Sequence, residues 1–299
     1  CAGFAILNKF SLADSLVVLA AASVGQFVRG RLNRRWLNQF GVAALASAAA
    51  CLVYLMLADL LTNTGLHTIH GPGYVASLLF LVPGFPMITS ILDMVRMDFT
   101  AGLSRAAYSF GLILAATMSA WMFSAATGLQ PLPAQTVFPY PWAWLAYAVA
   151  TACGVAGFAV IFNSPPRTVA WAAALGACGN LCRLALVSVN LPAQLAAGVG
   201  GVIIGFLAGP LSARTTLPRI TLTVPACVIM VPGASMYRTV YWLNGQDMTK
   251  ALTFGVDAVL TVILIACGLA VARMCTDPAW ARNLPVPSPH AFKFSKDDH

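Results

Sequence analysis

Four charged residues stand inside or close to long apolar runs and are the first candidates for chemistry: Asp14, Asp93, Arg183 and Asp257. Arg183 lies in GACGNLCRLALV, and Asn180, a further candidate substrate contact, precedes it by about one helical turn on the same face, which suggests a polar face turned toward a cavity. Arg183 either extends to the polar end of its apolar run or binds a substrate carboxylate through its planar guanidinium group. Asp14 and Asp257 are candidate proton carriers, because a carboxylate in an apolar segment is costly unless it has a function.

Two prolines interrupt apolar runs within the same short motif. Pro83 stands in LVPGFPMITS and Pro232 stands in MVPGASMYR, each with a glycine after it. Proline removes a hydrogen bond from a helix, and the freed carbonyl is tolerated in lipid only where the helix packs in protein or lines a cavity. A packing kink would explain either motif alone. The pair favours a binding site, whose predicted lining includes Pro83, Gly84, Pro86, Pro232 and Gly233.

Polar residues follow both breaks. Six of them are candidate substrate contacts: Thr89, Ser90 and Asp93 after the first break, and Ser235, Tyr237 and Arg238 after the second. Thr89 and Ser90 precede Asp93 by about one turn, so the three share a helix face. Asp93 lies ten residues beyond Pro83, about 15 Å along a helix, and is expected near the helix end. It either contacts a substrate ammonium group, carries a proton or pairs with Arg96.

Asp98 and Arg105 flank a turn that contains Gly102. Their spacing predicts an ion pair that anchors this loop, and exposed pairs of this kind contribute little stability. Asp98 is also a candidate for proton coupling, together with the three aspartates named above.

The composition determines the medium in which these residues work. With 59% hydrophobic residues, 9% charged residues and a mean hydropathy of +0.80, the chain cannot keep most side chains in water. Apolar runs of about 20 residues match the hydrocarbon core of a bilayer when they are helical. They predict an all-α polytopic membrane protein with spans at 11–28, 40–60, 74–95, 104–126, 142–162, 168–188, 191–212, 219–240 and 253–273.

Lys and Arg residues cluster at alternate ends of these spans. The loops after the first, third, fifth and seventh spans and the C-terminal tail hold most of them. By the positive-inside rule these loops and the C-terminus are cytoplasmic, in an inner or plasma membrane. The net charge of +8 is therefore a sign of topology, and no nucleic-acid partner is needed to explain it.

The two broken spans lie five spans apart, so they run in opposite directions. Corresponding motifs of opposite direction are typical of an inverted repeat. Because the sequence starts with CAGFAILNKF, which reads as the end of a helix, a further span is expected upstream and would give five plus five spans. The predicted parts are a first membrane half over 1–130, a second over 131–273 and a mostly disordered tail over 274–299.

Motifs of other functional classes do not occur in the sequence. Without a phosphate-binding loop, a nucleophile elbow or a metalloprotease signature, neither an enzyme nor a cofactor is predicted. His67 and His70 stand in one loop, but two ligands without nearby carboxylates or cysteines predict no metal site.

Three stretches resemble a known family. The run LVPGFPMITSILDMVRMDFTAGLSRA is similar to the P-G-x-P…D…D…G…R block of the threonine/serine exporter (ThrE) family, and VPACVIMVPGASMYR is similar to the P-G-S-x-x-Y/F-R block of its second half. GQFVRGRLNRRWLN resembles the basic loop of the family, so the similarity covers most of residues 1–273. The second block departs from the common PGSS by reading PGAS, and Asp257 matches no family position.

The resemblance implies ten membrane helices and secondary export of small amino or organic acids. Some relatives are split into two polypeptides and have been linked to dicarboxylate export. The resemblance also implies that the usual N-terminal cytoplasmic, hydrolase-like region is absent from this chain.

Residues and resemblance together predict a secondary active exporter of threonine-like or serine-like amino acids or of small organic acids. It would be proton-coupled and work by alternating access. A passive channel or a scaffold subunit of a membrane complex is the alternative. The predicted partners are a small-molecule substrate and the lipid bilayer. Homo-oligomerisation through small residues such as Gly200, Gly201 and Gly205 stays open.

Overall fold

The computed structural model describes residues 1–64, 73–131, 142–215 and 217–282, and every regular element within these ranges is helical. The helices are α1 Ala2–Leu7, α2 Leu12–Asn33, α3 Gln39–Asn63, α4 Tyr74–Ser77, α5 Gly84–Val95, α6 Phe99–Thr127, α7 Trp142–Ile161, α8 Pro166–Ser188, α9 Ala193–Thr215, α10 Arg219–Val228, α11 Gly233–Asn244, α12 Met248–Thr276 and α13 Pro278–Ala281. A 3₁₀ turn at Leu79–Leu81 follows α4. His67, His70 and the tail from residue 283 onwards lie outside the described residues.

The helices match the predicted spans. Within the described ranges, seven helices are long and apolar enough to cross a membrane, and the bent pairs α4–α5 and α10–α11 raise this to nine if each is one span. Large apolar side chains project from them: Leu16, Phe110, Val160 and Leu252 are each more than half exposed. A surface of this kind fits lipid better than water. The predicted all-α polytopic fold is confirmed.

Short polar side chains determine where several spans begin. Ser11 and Asp14 form a capping box at the start of α2, in which each side chain bonds the backbone N–H of the other residue. Asp98 caps α6 by accepting a hydrogen bond from the N–H of Ala101, and Asp247 caps α12 in the same way. These caps satisfy N–H groups that have no partner within the helix.

Both predicted breaks are present and have the same geometry. Pro83 has φ −79° and ψ 57°, and Pro232 has φ −83° and ψ 59°, which are not helical values. The N–H of the glycine after each proline bonds the carbonyl two residues earlier, and a new helix starts at that glycine. The two spans bend by 53° and 51°.

The breaks belong to a longer structural correspondence. The first residues of α6 and α12 are as far apart in sequence as Pro83 and Pro232 are, and so are the last residues of these two helices. The turns after α1 and α7 also correspond, with Lys9 and Asn163 both at positive φ. We call a residue of the first half and one of the second half equivalent when they take the same place in this correspondence. For first-half residues after 72, the distance along the sequence is that from Pro83 to Pro232. For first-half residues before 65, it is that from Lys9 to Asn163. Because equivalent helices lie five spans apart along the chain, they run in opposite directions.

Helix packing follows the same correspondence, with glycine in place of serine. The Ser47 hydroxyl donates to the Ala116 carbonyl at 2.8 Å and joins α3 to α6. At the equivalent contact of α9 with α12, a Cβ on Gly201 would lie 2.6 Å from the carbonyl oxygen of Ile265. Small residues let membrane helices approach closely. Gly201, one of the glycines named above as candidates for contacts between copies, therefore lies at a helix contact within the chain.

Candidate functional site

A cavity of about 250 Å³ lies beside the second break. Its walls come from α1, the C-terminal part of α8, the start of α9, the break itself, α11 and α12. The basic loops at the other end of the bundle, which carry Arg34, Arg35, Arg96 and Arg167, define what we call the basic face. The end of α8 and the start of α9 lie opposite that face. The cavity therefore occupies the half of the bundle remote from the basic face.

Arg183 lines this cavity from the penultimate turn of α8. Its Nε donates to Oδ1 of Asn180 at 2.8 Å. Asn180 is fully buried, and its Nδ2 donates to the Thr151 hydroxyl on α7 at 2.8 Å. Within the described residues, no carboxylate lies within salt-bridge distance of Arg183. The chain Thr151–Asn180–Arg183 thus anchors the guanidinium group and leaves its Nη groups for an anionic ligand.

Asp257 lines the cavity from α12 and has two neutral donors. Gln194 Nε2 donates to Oδ1 at 2.7 Å, and the Ser235 hydroxyl donates to Oδ2 at 2.8 Å. These bonds connect α12 to α9 and to α11, the helix that starts at the second break. The carboxylate is held in place without a cationic partner within salt-bridge distance in the described part of the chain. It can therefore receive a cationic group of a ligand or a proton.

Arg238 is the second guanidinium group of the cavity. Its Nε donates to the Pro131 carbonyl at 2.9 Å, and its Cζ lies 5.6 Å from the ring centroid of Phe254. As with Arg183, the Nε is bonded to protein and the Nη groups have no hydrogen-bond partner among the described residues. The cavity wall contains two arginines and one aspartate, so one positive charge is in excess.

The N-terminus of α11 also borders the cavity. Pro232, Gly233, Ala234 and Ser235 are all lining residues, and α11 begins at Gly233. The first N–H groups of a helix lack intrahelical acceptors, and the helix dipole places partial positive charge there. The second break thus adds to the attraction that the arginines exert on an anion.

The two breaks lie against each other. A Cβ on Gly233 would lie 2.7 Å from a methyl carbon of Leu79, and one on Gly84 would lie 3.0 Å from Val228. Leu79, before the first break, also lines the cavity. Pro83, Gly84 and Pro86 do not, so the predicted common cavity is formed mainly by the second break.

Three other candidate contacts lie away from the cavity. The hydroxyls of Thr89 and Ser90 are buried and donate to carbonyls of their own helix. The Tyr237 hydroxyl lies 2.8 Å from that of Tyr74, and the two rings meet edge to face. Tyr237 therefore joins α11 to α4.

The predicted ion pairs near the first break need correction. Asp93 pairs with Arg105 at 2.7 Å, and not with Arg96, whose guanidinium group lies over the Trp280 ring. Asp98 does not pair with Arg105 because its carboxylate caps α6. The turn between α5 and α6 places Arg105 beside the last turn of α5, where Asp93 lies. The pair is partly exposed, at the basic face.

Two of the proton-coupling candidates act as helix caps. Asp14 is fully buried and accepts hydrogen bonds from the backbone N–H and the hydroxyl of Ser11. Asp98 is exposed and caps α6. Of the four candidate aspartates, only Asp257 lines the cavity.

Sequence reasoning missed Gln194 and Thr151. Each fixes a charged residue of the cavity, Gln194 directly and Thr151 through Asn180. Both residues are hydrogen-bonding side chains within apolar runs, and this feature is visible in the sequence. That signal alone does not show which helices meet.

Two family models match the chain. The model described as "Putative threonine/serine exporter" matches residues 1–127, and the model described as "Threonine/Serine exporter, ThrE" matches residues 147–275. The chain belongs to the ThrE family. The two ThrE matches contain one break each, and the second contains every charged residue of the cavity.

Curated relatives of this ThrE-family chain match parts of it. A protein named probable succinate transporter subunit YjjP, from Escherichia coli K12, is 31% identical over 44% of this chain and 50% of its own length. The protein of that name from Klebsiella aerogenes is 32% identical over 44% of this chain and 49% of its own. An uncharacterized Haemophilus influenzae protein is 37% identical over 27% of this chain and 28% of its own. The chain thus spans half or less of each relative. No solved structure matches it.

Proposed function

We propose that this chain is a secondary active exporter of small carboxylate-bearing solutes and that the cavity at the second break is its outer substrate site. The observation that supports the proposal best is the pair of anchored arginines, Arg183 and Arg238, around one cavity beside a helix N-terminus. Bidentate guanidinium contacts and helix N-termini both favour carboxylates. The volume suits a small solute, since pockets for drug-sized ligands are about 300–1,000 Å³.

Two substrate classes fit these charges. An amino acid would place its carboxylate at Arg183 and its ammonium group at Asp257. A dicarboxylate would place one carboxylate at each arginine, with Asp257 opposing it. The family description favours threonine and serine, and the name of the YjjP relatives favours succinate. Because Asp257 attracts an ammonium group, we favour the amino acid.

The basic loops indicate which end of the helix bundle faces the cytoplasm. By the positive-inside rule the basic face and the C-terminus are cytoplasmic, in an inner or plasma membrane. The cavity then lies on the outer side of the two breaks. In an alternating-access cycle the inner mouth opens as this cavity closes, with the Asp93–Arg105 pair at the inner mouth and Arg238 at the outer one.

Asp257 is the proposed coupling residue. It is the candidate aspartate that lines the cavity, and its two donors, Gln194 and Ser235, lie on helices that meet at the second break. A proton on this carboxylate would remove its attraction for a substrate ammonium group. Proton uptake from the outer side would therefore favour substrate release there.

A subunit of a larger membrane complex is the second candidate function. The YjjP relatives carry the word subunit in their names, and this chain spans half of their length or less. In that case transport would require a partner chain.

The proposal is tested with the purified chain in proteoliposomes that take up labelled threonine. Unlabelled threonine, succinate and threoninol, the analogue in which an alcohol replaces the carboxylate, are added as competitors. Threonine and succinate should compete, and threoninol should not. Equal competition by threoninol would show that the carboxylate is not recognised and would refute the site.

A further inference from the structure

The first half of the chain contains an arginine equivalent to Arg183. GQFVR in α2 and GNLCR in α8 occupy equivalent positions, so Gln26 is equivalent to Asn180 and Arg29 to Arg183. Arg29 lies in the penultimate turn of α2, close to the basic face. The arginines thus mark opposite halves of the bundle, each next to one break.

The two arginines have different partners. Arg183 donates through Nε to the side-chain oxygen of Asn180. Arg29 instead donates through Nη1 to the Phe80 carbonyl, at 3.3 Å, on the chain that leads into the first break. The side-chain oxygen of Gln26 is buried and has no hydrogen-bond partner among the described residues. The Gln26 oxygen could therefore accept a hydrogen bond from Arg29 as Asn180 does from Arg183, but in this structure Arg29 does not donate to it.

Two small residues that line the cavity of the second break have larger equivalents in the first half. Asn8 and Ala234 line the cavity of the second break. Their equivalents are Phe162 and Phe85, whose rings pack edge to face with centroids 5.2 Å apart. By equivalence, these two rings stand in the first half where the second half has its cavity.

We propose that Gln26 and Arg29 form a second carboxylate-binding site, on the basic-face side of the first break, which this conformation holds closed. The proposal rests on the proposed function. Opening would separate the Phe85 and Phe162 rings. Arg29 would then leave the Phe80 carbonyl for Gln26, with its remaining N–H groups directed to the ligand.

The second site would be the less selective of the two. The equivalents of Arg238 and Asp257 are Thr89 and Tyr108, which are neutral. Arg29 is then the charged member of this set, so the site recognises one carboxylate and offers no group for an ammonium ion. Discrimination between amino acids and other carboxylic acids would arise at the outer site.

The test measures the KM for threonine separately at each membrane face, in proteoliposomes of known orientation. Arg29→Gln should raise the KM at the basic face by about tenfold or more, because a charge-assisted carboxylate contact is lost. The KM at the opposite face should not change. Arg29→Lys should give an intermediate KM, since it keeps the charge and loses the planar fork. Arg31→Gln, an exposed position on the same helix, is the matched control and should behave like the wild type.

A purely structural role for Arg29 predicts a different result. If its hydrogen bond to the Phe80 carbonyl only supports the break, Arg29→Gln should lower kcat from both faces and leave both KM values unchanged, and the second site is then refuted. If Arg29→Gln does not fold, a wild-type KM for Arg29→Lys at the basic face refutes it equally. If Arg183→Gln loses transport and Arg29→Gln keeps the kinetics of the wild type, the second site at Arg29 is refuted and the proposed function is not. Normal transport by Arg183→Gln would overturn the proposed function itself.

Discussion

Replacing Arg183 with glutamine tests the outer site directly. The substitution removes the guanidinium charge and the Nη groups that border the cavity. A bidentate carboxylate contact consists of two charge-assisted hydrogen bonds, each worth about 1.5–3 kcal/mol. The low end of that range gives a loss of about 3 kcal/mol, which corresponds to a roughly hundredfold weaker affinity. Arg183→Lys keeps the charge and should lose less.

Stability has to be separated from binding in this variant. The Nε bond to Asn180 is also lost, which leaves a buried acceptor unpaired at a cost of about 1–3 kcal/mol. Removing a half-buried charge offsets part of this cost. Thermal unfolding in detergent therefore accompanies the threonine binding isotherm. Arg167→Gln makes the same charge change at an exposed position of the same helix and is the control.

A dissociation constant within about twofold of the wild type in folded Arg183→Gln would rule out the carboxylate contact, because even one charge-assisted hydrogen bond is worth about tenfold in affinity. Arg183 would then be a residue that extends to the membrane surface, the alternative that the sequence left open. A hundredfold loss with unchanged binding in Arg167→Gln would support the carboxylate contact.

Three further outcomes follow. Asp257→Asn should weaken the binding of threonine and strengthen that of succinate in competition assays, each by about tenfold. The reason is that the Asp257 carboxylate attracts the ammonium group of threonine and repels the carboxylates of succinate. Equal changes in affinity for both ligands would contradict this. Gly201→Ala should lower the melting temperature, because its Cβ would meet a backbone carbonyl of α12 at 2.6 Å, and overpacking costs about 1–3 kcal/mol; Gly157→Ala, with open space around its Cβ, should not lower it. Tyr237→Phe should destabilise the chain by about 1 kcal/mol by removing the hydrogen bond between the Tyr237 and Tyr74 hydroxyls, and Tyr74→Phe should cost less in the Tyr237→Phe background than it costs alone; additive losses would contradict it.

The spans and their breaks could be predicted because each depends on residues close in sequence. Apolar runs of membrane length and the backbone chemistry of Pro83 and Pro232 are local signals. The start of α6 was harder to interpret, because Asp98 can either cap a helix or pair with Arg105. The structure uses it as a cap, and the positive φ of Met97 occurs in the turn that returns α6 along α5, so that Asp93 is the residue that Arg105 reaches.

The candidate site was only partly predictable. Arg183, Ser235, Arg238 and Asp257 stand out as polar groups in or near apolar spans, and all four line the cavity. Their arrangement depends on contacts between helices, such as the bond from Gln194 to Asp257, which periodicity within one helix does not encode.

The equivalence of Arg29 and Arg183 had a sequence signal in GQFVR and GNLCR. That signal was hidden because the separation of equivalent residues changes between the early and the late part of each half. The offset between Pro83 and Pro232 does not align these two arginines, and the turns at Lys9 and Asn163 were needed to relate them.

Concentrative transport is the most direct test of the central claim. Proteoliposomes containing the chain alone are given labelled threonine or succinate and a proton gradient directed against substrate movement, as in an antiporter. We expect the substrate to accumulate above its equilibrium level, a protonophore to abolish the accumulation, and Arg183→Gln to show none. Transport that stops at the equilibrium level, with or without the proton gradient, would contradict the exporter account and favour a passive channel.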